Sequence, residues 1–185
     1  MTALTEVGAA VLVALLRGGK IARLANLALE GLVFVWLTLL LRVVADVLAA
    51  YWVPAAAWLQ AAAYLPLFYF FLLNRDRAGM ALLGLGSALN LLVIAANGGM
   101  MPVSVVAIAS AGGAGNVPVG THTLLTGESR LSFLADVIPV PWHFPGPVVV
   151  SGGDILITLG VFLFIQHQML AGKAGRPRGS LAPKN

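Results

Sequence analysis

Cysteine is absent from the 185 residues, which excludes disulfides, thiolate catalysis and cysteine-based metal sites. Charge is scarce as well: 10% of residues are Asp, Glu, Lys or Arg, against about a quarter in ordinary soluble domains. With 59% of the chain hydrophobic and a mean hydropathy of +0.94, a soluble fold has too little polar surface to cover the rest. Met1 to Glu6 has no basic stretch and no small-residue cleavage site, so a removable signal peptide is not expected. HxxxH and HExxH spacings are missing too. His122 and His143 share a region with several acids, but without such spacing neither a metal ion nor another cofactor is expected.

Long apolar runs are what the chain does have. They predict an all-α, polytopic transmembrane bundle of about five spans, at residues 3–16, 31–53, 55–73, 79–96 and 154–170. The first is short and interrupted by Glu6. Pro54 divides the second from the third, and Pro66 should kink the third. In the fourth, Gly84, Gly86, Ser87 and Ala88 offer small faces for close helix contact, with Asn90 available for an interhelical hydrogen bond. Residues 1–172 read as one membrane domain and 173–185 as a disordered basic tail.

Arg42 and Asp46 fall in the middle of the second run, where ionic groups are costly. Four apart, they share a helical face. They read either as a mutually neutralising pair turned toward other helices or as part of a proton or substrate relay.

Nine of the eleven Lys and Arg residues fall in three places: Arg17, Lys20 and Arg23; Arg75 and Arg77; and Lys173, Arg176, Arg178 and Lys184. Five spans put all three on one side. By the positive-inside rule that side is the cytoplasm, which places the N-terminus outside and the C-terminus inside. Arg130 is then the outer loop cation. Topology and attraction to anionic lipids account for these cations better than nucleic acid, for which no basic and aromatic interleaving exists.

The 57 residues from Asn97 to Gly153 form an extracytoplasmic loop much longer than a connector needs, and too apolar to be disordered. Val103 to Ala109 should form a membrane-surface or re-entrant helix, and Gly112 to Gly120 a hinge. Pro139, Pro141, Pro145 and Pro147 hold an extended strip, with Trp142 and Phe144 suited to the headgroup boundary. Asp136 precedes this strip and Asp154 follows it. Folding the strip back would bring the two together, and adjacent carboxylates sharing a proton can activate water. A plainer reading has Asp154 capping a helix while Asp136 pairs with Arg130.

Asn97-Gly98-Gly99-Met100-Met101-Pro102-Val103, Gly120 to Thr126, Arg130 to Pro141 and Ser151 to Ile165, with Arg17-Gly18-Gly19-Lys20 and Arg23 to Leu27, resemble the bacterial membrane-protein family catalogued as domain of unknown function 5317. That resemblance covers nearly the whole chain and implies a bacterial cytoplasmic membrane protein without assigning a reaction. Ala135-Asp136-Val137-Ile138, Trp142-His143-Phe144 and Asp154 before an apolar helix are more distantly similar to the end of lipoprotein signal peptidases. In that family two aspartates form the catalytic dyad at the outer face. Its Phe-Asn before the second aspartate is Val150-Ser151 here, and its Gly-Asn-x-x-Asp-Arg motif has no copy near Asn97.

The expectation is an integral membrane protein of unassigned activity, and the sharpest hypothesis for that activity is an aspartate-dyad hydrolase, with Asp136 and Asp154 alternating as base and acid and Asn97, Arg130, His143 and Ser151 in support. Its substrate would be a membrane-embedded peptide or a lipid-linked molecule, and its other partners membrane lipids. The competing expectation is a small transporter or assembly scaffold in which Arg42, Asp46 and Asn90 line a polar path.

Overall fold

Gly31 and Gly79 both take left-handed backbone, with φ of 68° and 86°, and each starts a long helix from a turn that a side chain would strain. The structure, a computed structural model, describes residues 3–113, 121–142 and 146–171. Its helices run in the order α1 (Ala3–Leu16), the single turn α2 (Ala22–Ala25), α3 (Leu32–Ala49), α4 (Val53–Ala62), α5 (Tyr64–Leu73) and α6 (Met80–Ala96). After the strand β1 (Met101–Val103) come α7 (Val105–Ala111), β2 (His122–Leu124), a 3-10 turn at Ser132–Leu134, β3 (Ile138–Val140), β4 (Val148–Val150) and α8 (Gly152–Leu170).

Leu32–Ala49, Val53–Leu73 and Gly152–Leu170 are long and apolar enough to cross a membrane, while Leu4–Leu16 and Met80–Ala96 are apolar but shorter. Only 11% of α3 is buried inside the protein, and Val33, Trp36 and Leu40 on it are more than half exposed. Each such side chain left in water forgoes about 1.5–3 kcal/mol, so this surface needs an apolar solvent. The chain is a mostly helical membrane protein.

The second run stops at Ala49, short of Val53, because Ala50 and Tyr51 form a turn and Trp52 is extended ahead of Pro54, which sits in the first turn of α4. Pro66 interrupts the third run. It has no N–H for the carbonyl of Ala62, and the helix breaks at Ala63, dividing α4 from α5. Thr38 and Ala45 on α3 are buried against this broken helix.

The α6–α8 contact is the most extensive in the protein. A Cβ on Gly86 would collide with the carbonyl of Gly153, and one on Gly79 with the carbonyl of Gly160. The two backbones thus meet directly, as small residues permit in membrane helices. Gly86 and Ser87 are buried, whereas Gly84 faces Phe71 of α5 and Ala88 is exposed. On the other flank of α8, Ala10, Ala14, Ile165 and Met169 form a buried cluster, and Gln166 donates to the carbonyl of Ala10 at 2.7 Å. Glu6, the charge within α1, accepts a hydrogen bond from Thr158 at 3.1 Å.

The basic connectors gather at one end of the bundle. Lys20 N–H donates to the carbonyl of Met169 at 3.1 Å, Arg23 Nη1 donates to the same carbonyl at 2.7 Å, and Arg77 donates to the carbonyl of Ala28. Asn74 ties them together, exchanging backbone-mimicking bonds with Glu30 at 3.1 and 2.9 Å.

Candidate functional site

The opposite end is organised around β1, three residues long and buried throughout. On one edge it pairs in parallel with β2, aligning Met101 with His122. Its other edge holds Asp136 by both main-chain groups: Asp136 N–H donates to the carbonyl of Pro102 at 3.0 Å, and its carbonyl accepts from Ser104 N–H at 3.0 Å. Pro102 suits this position because only its carbonyl is used. One short strand therefore sets His122 and Asp136 on either side of itself, and their side chains meet at 3.6 Å between Nε2 and Oδ2.

The proline strip folds back. β3 and β4 pair antiparallel, with Ile138 opposite Val150 and Val140 opposite Val148. This hairpin returns the chain to the start of α8, where Ser151 and Asp154 form a capping box: Ser151 Oγ accepts from Asp154 N–H at 3.0 Å and Asp154 Oδ2 accepts from Ser151 N–H at 2.9 Å. Asn90 of α6 completes the arrangement. Its Nδ2 donates to Asp154 Oδ1 at 2.9 Å, and its Oδ1 accepts from the fully buried Ser151 hydroxyl at 2.9 Å.

Asp136, Asp154, His122 and Asn90 line one cavity of about 250 Å³, together with Arg42 from α3 and Gln60 and Tyr64 from either side of the Ala63 break. Asp136 is 6% exposed, and its Oδ1 has no hydrogen-bond partner. Burial, reinforced by the Asp154 carboxylate, pushes the Asp136 carboxyl up to about 7. Burial also lowers the His122 imidazole below its usual range, with Asp154 acting weakly the other way. Near neutral pH the pair is therefore an acid close to half-ionisation beside a neutral imidazole. Thr121 Oγ1 lies 2.8 Å from His122 Nδ1 and fixes the ring.

The sequence-predicted residues divide clearly. Asp136, Asp154, Arg42 and Asn90 reach the cavity, and Ser151 braces it through Asn90. Asp136 takes His122 as its partner where Arg130 was the plainer expectation. Arg130 is exposed, and its N–H and carbonyl are bonded to the side chain of Asn97 at 2.9 Å each, so Asn97 and Arg130 anchor the loop to the end of α6. Arg42 and Asp46 do not neutralise each other among the described residues. Arg42 lies 5.1 Å over the Tyr64 ring and Asp46 accepts from Gln60 Nε2 at 2.7 Å, each finding its partner on the antiparallel helix opposite. The helix expected over Val103 to Ala109 is α7, Val105–Ala111, shifted because Val103 belongs to β1, and Ser104 caps it at 3.2 Å. His143, most of the glycine hinge and the basic tail lie outside the described residues. Gln60, Tyr64 and Thr121 had no signal in the sequence, because each is an ordinary residue for its segment.

Over 102 residues the chain is 37% identical to an uncharacterized protein of Thermotoga maritima, a match covering 55% of this chain and 58% of that one. The chain thus spans little more than half the length of that relative. No solved structure matches. Residues 26–166, which contain the cavity and every strand around it, match a family of unknown function, and the chain belongs to that family, DUF5317.

Proposed function

We propose that this protein is an aspartate-dyad hydrolase of the bacterial cytoplasmic membrane, acting at the outer face on a membrane-embedded peptide or lipid-linked substrate. In this reading α1, α3, the α4–α5 pair, α6 and α8 are five spans, the basic end faces the cytoplasm, and the segment between α6 and α8 is an extracytoplasmic cap. The observation that carries it is the shared cavity of Asp136 and Asp154, with one buried carboxyl poised near neutral pH. Such a pair can do acid–base work: one carboxylate takes a proton from water as the water attacks, while the other protonates the leaving group. The order Asp136, hairpin, Asp154 keeps the likeness to lipoprotein signal peptidases in view, and Asn90 supplies an amide to the second aspartate much as an orienting residue would.

A transporter would need a polar file running on from Arg42 to the basic end. Below Asn90 the α6–α8 seam is closed by glycine backbone and by Leu83 and Ile157, which favours the hydrolase. The test is hydrolysis of a lipidated or membrane-inserted peptide by purified protein in detergent. Asp136→Asn and Asp154→Asn should each abolish turnover while the protein stays folded; turnover surviving in either variant rejects the dyad.

A further inference from the structure

Among the described residues, Arg42 is the one Lys or Arg lining the cavity. Its guanidinium carbon lies 5.1 Å from the centre of the Tyr64 ring, a cation–π contact that uses the charge and leaves N–H donors to be satisfied elsewhere. All seven Asp and Glu residues are among the described residues, and none forms an ion pair with it. Asp46, one turn along α3, is bonded to Gln60 instead. No carbonyl among the described residues accepts from Arg42 either. A guanidinium halfway along an apolar helix is costly, and such residues ordinarily face a partner or a functional cavity. Here the cavity is shared with the two carboxylates, and the guanidinium has no hydrogen-bond acceptor among the described residues.

The geometry points to an oxyanion subsite at Arg42: the ligand of this cavity carries a phosphate-class group that docks on the guanidinium while its scissile bond lies toward Asp136 and Asp154. This rests on the hydrolase reading and narrows its substrate to the anionic, lipid-linked class. The planar fork matches two oxygens of such a group at once, with Tyr64 packed beside it. Gln60, whose amide donates to Asp46, also lines the cavity.

Binding can be read without turnover, as the rise in unfolding temperature of detergent-solubilised protein titrated with dihexanoyl phosphatidic acid, inorganic phosphate, or uncharged dihexanoylglycerol. The wild type should show a saturable rise with the phosphatidic acid and none with the uncharged lipid. R42Q should bind about tenfold or more weakly, the loss expected for a charge-assisted pair, and R42K should fall between them. A rise with inorganic phosphate as well means that the free anion suffices; a rise with the lipid alone assigns the headgroup. Both support the subsite. Should R42Q fail to fold, the ranking of wild type over R42K carries the comparison. No rise with either phosphate, or equal rises in wild type and the Arg42 variants, overturns it. Asp136→Asn should bind at least as well as wild type, so a failed dyad and a failed anion site give different results.

Discussion

Asn90 and Asp154 are joined at 2.9 Å across the close α6–α8 contact, and the same amide accepts from Ser151. Asn90→Leu removes both bonds, leaving a buried hydroxyl and a carboxylate oxygen without their partner. The expected cost is about 2–4 kcal/mol, from about 1–3 for each stranded group less partial rehydration of Asp154. Chemical unfolding in detergent measures it, and a loss under about 0.5 kcal/mol would mean the amide is idle.

Asp154→Asn is expected to behave differently. Asp154 sits at the third helical position of the capping box, where an Asn oxygen can still accept from Ser151 N–H, but the bonds from Ser151 and Asn90 go to different carboxylate oxygens, and an amide puts an NH2 donor in place of one of them. Stability should fall by about 1 kcal/mol while any hydrolysis disappears entirely. Equal losses of both would assign Asp154 to folding alone.

The stability of the folded protein should carry a signature of Asp136. Its carboxyl is raised from 3.8 to about 7 on folding, so the folded state holds a proton that the unfolded chain releases earlier. That contribution is complete below about pH 4 and is lost as pH rises through 7, a change on the order of 4 kcal/mol. Asp136→Asn removes it. The difference between variant and wild type should therefore grow in the variant's favour from pH 4 to pH 8, and a flat difference would show that the carboxyl is not held protonated. His122, lowered on folding, acts in the opposite sense: its contribution weakens as pH falls through its unfolded value near 6.5.

Gly86→Ala puts a methyl group into the carbonyl of Gly153, with Ile157 Cγ1 at 2.9 Å behind it. Backbone cannot yield as a side chain tip can, so α6 and α8 must part. About 2–4 kcal/mol of destabilisation is expected, within the range of severe overpacking. Gly84→Ala, whose Cβ meets Phe71 at 3.8 Å, is the matched control and should be near neutral.

Because the chain has no cysteine, single cysteines report topology cleanly. Ser132→Cys, at the cavity end, should label in intact cells with an impermeant maleimide, and Asp76→Cys, at the basic end, only after permeabilisation. Both positions are exposed. The reverse pattern would invert the proposed orientation.

The helices were legible in the sequence because hydropathy and two prolines dictate them: α1 and α6 begin and end within a residue of the apolar runs, and Pro66 breaks the third run one turn upstream of itself. The return of the proline strip was legible only as one option: four prolines suggest an extended, polyproline-like run, and the pairing of Ile138–Val140 with Val148–Val150 comes from the β-branched residues flanking it. Partner choice was not. Arg42 and Asp46 are one turn apart on a helix, and that spacing alone suggests a pair. The turn at Ala50 and Tyr51 instead places Tyr64 opposite Arg42 and Gln60 opposite Asp46, which only the three-dimensional register reveals. His122 was weighed only as a metal ligand beside His143 and the loop acids, because its pairing with Asp136 depends on β1 standing between segments 14 residues apart in sequence.

That short strand has a consequence for how the chain can vary. The positions of His122 and Asp136 are fixed by main-chain bonds to residues 101–104, so the connection from the end of α7 to Thr121 need not have a given length for the acid to meet its imidazole. Closure entropy grows slowly with length, by about 0.6 kcal/mol for each doubling of a loop. The same does not hold for β1 itself, where a one-residue insertion would turn Asp136 away from the cavity. The stretch between α7 and β2 is thus the natural insertion point: a reporter or an affinity tag placed there should leave the carboxylates where they are.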